Sequence, residues 1–143
     1  ILHVAKLSPF ATAGKLTPVT RWKALLVAGD ASIPVFDNAR HRLRSFWIRR
    51  GVDPRDVREL SASRAQQFGG VQPANGANLT AALEDLQIGP GDGCLVHLTS
   101  HGTRHGFLLG DRLLTPVALD AALEATCGPV PTIVLVSSPA GRR

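Results

Sequence analysis

Cys94-Leu95-Val96-His97-Leu98-Thr99-Ser100-His101-Gly102 is the stretch on which the fold turns. Its first five residues form an apolar run, interrupted only by His97, that is too short for a helix. The run does not alternate with polar residues, so it reads as a strand buried on both faces. It stops on a Ser-His-Gly corner. The loop leaving a strand end is a rigid mount on which an α/β fold displays reactive groups. A second run of the same kind, Thr132-Ile133-Val134-Leu135-Val136-Ser137-Ser138-Pro139, follows some thirty residues later and holds no cysteine.

Upstream, Lys23-Ala24-Leu25-Leu26-Val27-Ala28 is a further buried strand ending at Gly29-Asp30, and Ala31 to Val35 is a loop. Asp37 or Asn38 is placed to cap a helix that runs to about Arg50, where Gly51 stops it. On that helix Phe36, Ala39, Leu43, Phe46, Trp47 and Arg50 share a stripe, and the arginines mostly occupy the opposite, solvated side. Val57 to Leu60 is a short strand, Ser61 to Gly76 a Gly-, Gln- and Pro-rich loop, and Asn78 to Leu86 a helix with Leu79, Leu83 and Leu86 on one face. Gly106 to Leu109 pairs with Leu113-Leu114 as a small hairpin. Thr115-Pro116 starts a helix that ends near Cys127-Gly128. Strands alternating with helices predict an α/β fold, a mostly parallel sheet with helices on both faces. Residues 1–20 lack a sustained period and read as an N-terminal extension, leaving residues 21–143 as one domain.

Composition narrows the function classes. The 143 residues suit one domain, and an apolar fraction of 44% is enough for a core. The longest apolar runs fall far below a membrane span. No signal-peptide pattern is visible, and the compartment stays open. The net charge of +5 gathers largely between Arg40 and Arg58, but on an amphipathic helix without a nucleic-acid-binding motif, so no nucleic-acid partner is expected. Two cysteines, Cys94 and Cys127, do not make a disulfide framework, and both read as buried free thiols.

His101 is the best candidate for chemistry. An imidazole on a strand end serves as general base or acid toward a thiol, and the backbone N–H of Gly102 is free to approach an oxyanion. His97, His101 and His105 recur every four residues. On a strand and loop that spacing does not make them converge, so neither metal nor cofactor is expected, and His97 reads as a strand histidine satisfied by a neighbour. Ser137 and Ser138 follow a strand, but Pro139 breaks the turn and no Gly-x-Ser-x-Gly elbow surrounds them. Gly29-Asp30 is no dinucleotide fingerprint.

The order and content of these segments resemble the caspase–legumain superfamily of cysteine peptidases, and among them the bacterial legumain-type members. The stretches that carry the likeness are Arg21 to Asp30, Val35-Phe36-Asp37-Asn38-Ala39, Leu98-Thr99-Ser100-His101-Gly102 and Val134-Leu135-Val136-Ser137. The resemblance implies a three-layer α/β/α sandwich, a polypeptide substrate and a Cys–His dyad. His101 matches the catalytic histidine, Gly102 lies in the oxyanion hole, and the nucleophile sits just after the last strand. Alignment on Val136-Ser137 puts Pro139 at that cysteine position, so the chain as written is expected to be an inactive N-terminal portion of such a hydrolase. If Ser138 were encoded TCG and Pro139 CCT, a shifted reading frame running into Ala140 would supply Ala-Cys there. The alternative is a non-catalytic caspase-like interaction domain. No Arg or Lys stands between Gly29 and Asp37 to set a substrate preference, and the last strand is expected to be an open sheet edge. His101 and Ser137 are predicted to end adjacent strands on the same edge of the sheet.

Overall fold

The computed structural model describes residues 2–7 and 18–138. In chain order the elements are β1 (Leu2–Leu7), β2 (Arg21–Ala28), α1 (Val35–Arg49), β3 (Val57–Ser61), β4 (Gln72–Pro73), α2 (Gly76–Asp85) and β5 (Asp92–Thr99). There follow β6 (Gly102–Thr103), β7 (Gly106–Leu109), β8 (Arg112–Leu114), α3 (Pro116–Thr126) and β9 (Thr132–Ser137). Six strands form one sheet in the order β1-β9-β5-β2-β3-β4, and β6-β7-β8 make a small separate sheet. Strands β9, β5, β2, β3 and β4 run parallel, and only β1 is antiparallel.

The continuous apolar runs are explained by burial on both faces. Successive side chains of a strand point to opposite sides, and here both sides are covered. Leu25, Val27, Val96, Leu98, Val134 and Val136 pack with Leu79 and Leu83 of α2 and Leu119 and Leu123 of α3. Ala24, Leu26 and Leu95 pack on the other face with Leu43, Trp47 and Ile48 of α1. The chain is therefore an α/β sandwich with a mostly parallel sheet between helices. Among the described residues no helix is long and apolar enough to cross a membrane.

Several local expectations change. The extension over residues 1–20 contains a strand: β1 pairs with β9, from Leu2 opposite Ser137 to Leu7 opposite Ile133. The last strand is thus not an open edge. A register shift between Val4 and Lys6 breaks the period of two that would have marked β1 in the sequence. Helix α1 begins at Val35, before both proposed caps, and Pro34 at its N-cap makes no side-chain cap bond. Asp37 instead turns inward, where its Oδ1 accepts from Arg40 Nε at 3.0 Å and from Ser61 Oγ at 2.7 Å. Arg40 is not on the solvated side: it is 1% exposed and also reaches Glu59 and, at 3.2 Å, Gln66. The loop from Ser61 to Gly76 contains a 3₁₀ turn over Arg64–Gln66 and the short strand β4. Asn75 caps α2 through Asn78 N at 2.8 Å, and Thr115 caps α3 through Ala118 N at 3.1 Å.

The cysteines also differ from expectation. Cys94 at the start of β5 and Cys127 at the C-cap of α3 are joined by a disulfide, with Cα atoms 6.0 Å apart. A crossover helix must return to the sheet beside the strand it left, and that return brings together two residues 33 apart in sequence. Burial alone did not distinguish a bridge from two thiols.

Candidate active site

Leaving β2, the chain crosses over α1 to β3 on one side. It later passes over α2 to β5 on the other side of β2, and over α3 to β9 beyond it. The sheet order therefore reverses between β2 and β5, and at such a switch point the loops part and leave a crevice outside the C-terminal strand ends. Asp30 follows β2 and His101 follows β5. The two strands are in register from Arg21 opposite Asp92 to Ala28 opposite Thr99, so both residues stand at the C-terminal ends of neighbouring strands at that switch point.

His101 Nδ1 is hydrogen-bonded to Asp30 Oδ2. The imidazole edge also packs on the Phe36 ring, with centroids 4.9 Å apart at 78°. One nitrogen is thereby held by a carboxylate and the ring plane by an aromatic neighbour. Nε2 is left without a partner among the described residues, on a side chain 42% exposed. Asp30 is nearly buried and accepts from Ser32 N at 2.8 Å through Oδ1. Burial works against its charged form, but the bonds from His101 and Ser32 prevail and hold the carboxyl below its ordinary value. A charged carboxylate on Nδ1 fixes the tautomer in which Nε2 accepts a proton.

The surroundings are built to hold that pair. Thr99 Oγ1 donates to Val27 O at 3.2 Å and to Phe36 O at 3.1 Å, tying the end of β5 to β2 and to the start of α1. Ser100 Oγ donates to Leu108 O at 2.8 Å, and Leu108 N donates to His101 O at 3.0 Å. Gly110 N reaches back to Gly29 O at 2.8 Å. The hairpin β7–β8 thus lies directly on the end of β2. A Cβ at Gly29 would stand 2.1 Å from Leu108 O, so this close approach requires glycine there.

Gly102 faces Phe107 across β6 and β7. Because the neighbouring His101 carbonyl takes the bond from Leu108, Gly102 occupies a pair that exchanges no hydrogen bonds, and its N–H points away from β7. A Cβ on Gly102 would lie 3.9 Å from Ser138 Oγ. Thr99 pairs with Ser137, and Ser100 N donates to Ser137 O at 3.2 Å. The end of β9 is therefore beside the His101-Gly102 corner, on the same edge of the sheet, as the sequence predicted. Pro139 lies outside the described residues. Cys94 and Cys127, bridged and buried, offer no thiol to this site.

The other histidines of the four-residue series go elsewhere. His97 is 3% exposed in the middle of β5, and burial pushes its pKa down to about 4. Its Nδ1 has no hydrogen-bond partner among the described residues, so the expected satisfying neighbour is missing. His105 is exposed in the turn between β6 and β7. Among the described residues no three His, Cys, Asp or Glu side chains converge as metal ligands.

Asp30 is the candidate site residue that the sequence did not yield. Gly29-Asp30 was visible as a strand end, but nothing local said that the strand bearing His101 would be its neighbour. Strand order supplies that information. No protein-family model and no curated protein sequence matches this chain.

Proposed function

We propose that this chain is a domain of the caspase–legumain peptidase type that carries only the acid–base half of a cysteine-hydrolase site, a site that acts on polypeptide where the thiol is present. The observation that supports this is the Asp30–His101 pair at the switch point of the sheet, with the end of β9 beside it. In the reaction such a site serves, His101 Nε2 takes the proton of a thiol placed after β9, and the thiolate attacks the peptide carbonyl carbon. The oxyanion that forms is met by the Gly102 N–H. His101 then returns the proton to the departing amine, and water attacking the thioester releases the acid and regenerates the thiol. Asp30 keeps Nδ1 protonated throughout and does not itself take the proton.

The residue that aligns with the nucleophile is Pro139, so the chain as given should not cleave peptide bonds. The disulfide favours a second reading, a non-catalytic interaction domain, because it removes both cysteines from chemistry. A thiol introduced at the end of β9 separates the two readings. In Pro139→Cys or Ser138→Cys, alkylation by iodoacetamide at pH 6 is expected to be at least tenfold faster than that of free cysteine. Addition of His101→Ala should remove the advantage. If neither thiol responds to His101, the peptidase reading fails and the interaction domain stands.

A further inference from the structure

The arginines of the α1 side fall into two groups. Arg21 pairs with Asp56, Arg40 with Asp37 and Glu59, Arg44 with Glu59, Arg55 with Asp53 and Arg58 with Asp85. Arg42, Arg49 and Arg50 have no acidic partner among the described residues and are exposed, Arg50 being turned onto the Phe46 ring and carbonyl. The only acid of α1, Asp37, is buried beneath it. Arg42, Ser45, Phe46 and Arg49 are spaced i, i+3, i+4, i+7, which puts them along one ridge of the helix. With His41 they line a shallow concavity of about 460 Å³.

We propose that this ridge is a binding surface for an acidic, extended polypeptide segment, with Arg42 and Arg49 each taking one carboxylate. Seven helical residues set the two arginines roughly 10 Å apart along the axis. In a polyproline-type segment, side chains three residues apart lie on one side and are about 9 Å apart. Acids at every third position of such a segment therefore match the two guanidinium forks, each of which can hold a carboxylate through two parallel bonds. The same surface is poorly made for other polyanions. The Phe46 ring is already covered by the Arg50 guanidinium, 3.4 Å from its centroid, and meets Trp47 at 87°, so it is no open platform for a nucleobase. Leu43, Trp47 and Ile48 turn into the core, which leaves no aliphatic side chain between the two arginines to enter a lipid surface.

The test is fluorescence anisotropy of a labelled peptide of four Glu-Pro-Pro repeats, against the Gln-Pro-Pro counterpart, in 50 mM salt. The whole chain should bind the Glu peptide at least tenfold more tightly than the Gln peptide. The pair Arg42→Glu and Arg49→Glu should remove that preference. The pair Arg104→Glu and Arg112→Glu, which changes net charge equally on the hairpin side, should leave it within twofold. Far-UV circular dichroism verifies that both double variants are folded. Equal loss in the two double variants would reduce the effect to net charge and overturn the proposal. So would tighter binding, lost with Arg42 and Arg49, of a twenty-nucleotide single strand or of phosphatidylglycerol vesicles.

Discussion

Buried polar side chains differ in what burial does to them, and His97 and Arg40 mark the two extremes. His97 sits in β5 with Nδ1 unpartnered among the described residues and its pKa lowered to about 4, so the folded protein holds it neutral where the unfolded chain would protonate it. Stability from this residue is therefore complete above pH 6.5 and is lost as pH falls toward 4, by roughly 3 kcal/mol. His97→Leu should lose that part of the pH dependence, leaving a smaller drop in urea midpoint between pH 7 and pH 4.5. An equal drop in both proteins would mean that His97 is accessible to protons in the fold. Arg40 is charged, enclosed and fully engaged by Asp37, Glu59 and Gln66. Arg40→Met would leave buried Asp37 with Ser61 alone and Glu59 with Arg44 alone, and should cost about 3 kcal/mol in urea unfolding, far more than removing exposed Arg42. The sequence displayed both residues but not their surroundings. Periodicity put Arg40 on the solvated side because a helical stripe is drawn against one sheet, whereas Glu59 and Gln66 reach Arg40 from β3 and the loop beyond it.

At the level of elements, the site depends on how the β7–β8 hairpin is seated on the end of β2. Gly29→Ala puts a methyl group against Leu108 O, which belongs to backbone and must move. The expected loss is about 1–3 kcal/mol. In hydrogen exchange it should appear as faster exchange at Leu108 and Gly110 with Val96 unchanged. Uniform loss of protection would instead place Gly29 in the general core. The disulfide ties β5 to α3 by closing a loop of 33 residues, and its reduction should remove about 4 kcal/mol of stability. Thiol titration in guanidinium without reductant should find no free thiol, and finding two would contradict the bridge. Most elements were legible before any geometry, since their runs, caps and glycine stops are local signals. Thr115-Pro116 is an example, with its side-chain cap found in place. Strand β1 was not legible, because its irregular register with β9 erases the alternation that marks a strand.

For the whole molecule, the parallel sheet and its two helical layers follow from the same apolar runs that opened the sequence. What the runs do not carry is the order in which strands lie side by side. That order puts β2 next to β5 and β9 beyond, and so brings Asp30, His101 and the Ser137-Ser138 corner to one edge. His101 and Gly102 were readable as candidates from their strand-end corner; Asp30 became one only through the topology. The central claim is that Asp30 holds His101 as a proton acceptor at Nε2. It is tested most directly by recording the imidazole ¹⁵N resonances of His101 at pH 8 in the native chain and in Asp30→Asn. The native chain should show the Nδ1–H tautomer, with a downfield Hδ1 signal that is lost in the variant. An Nε2–H tautomer in the native chain, or a spectrum that Asp30→Asn does not change, would contradict it.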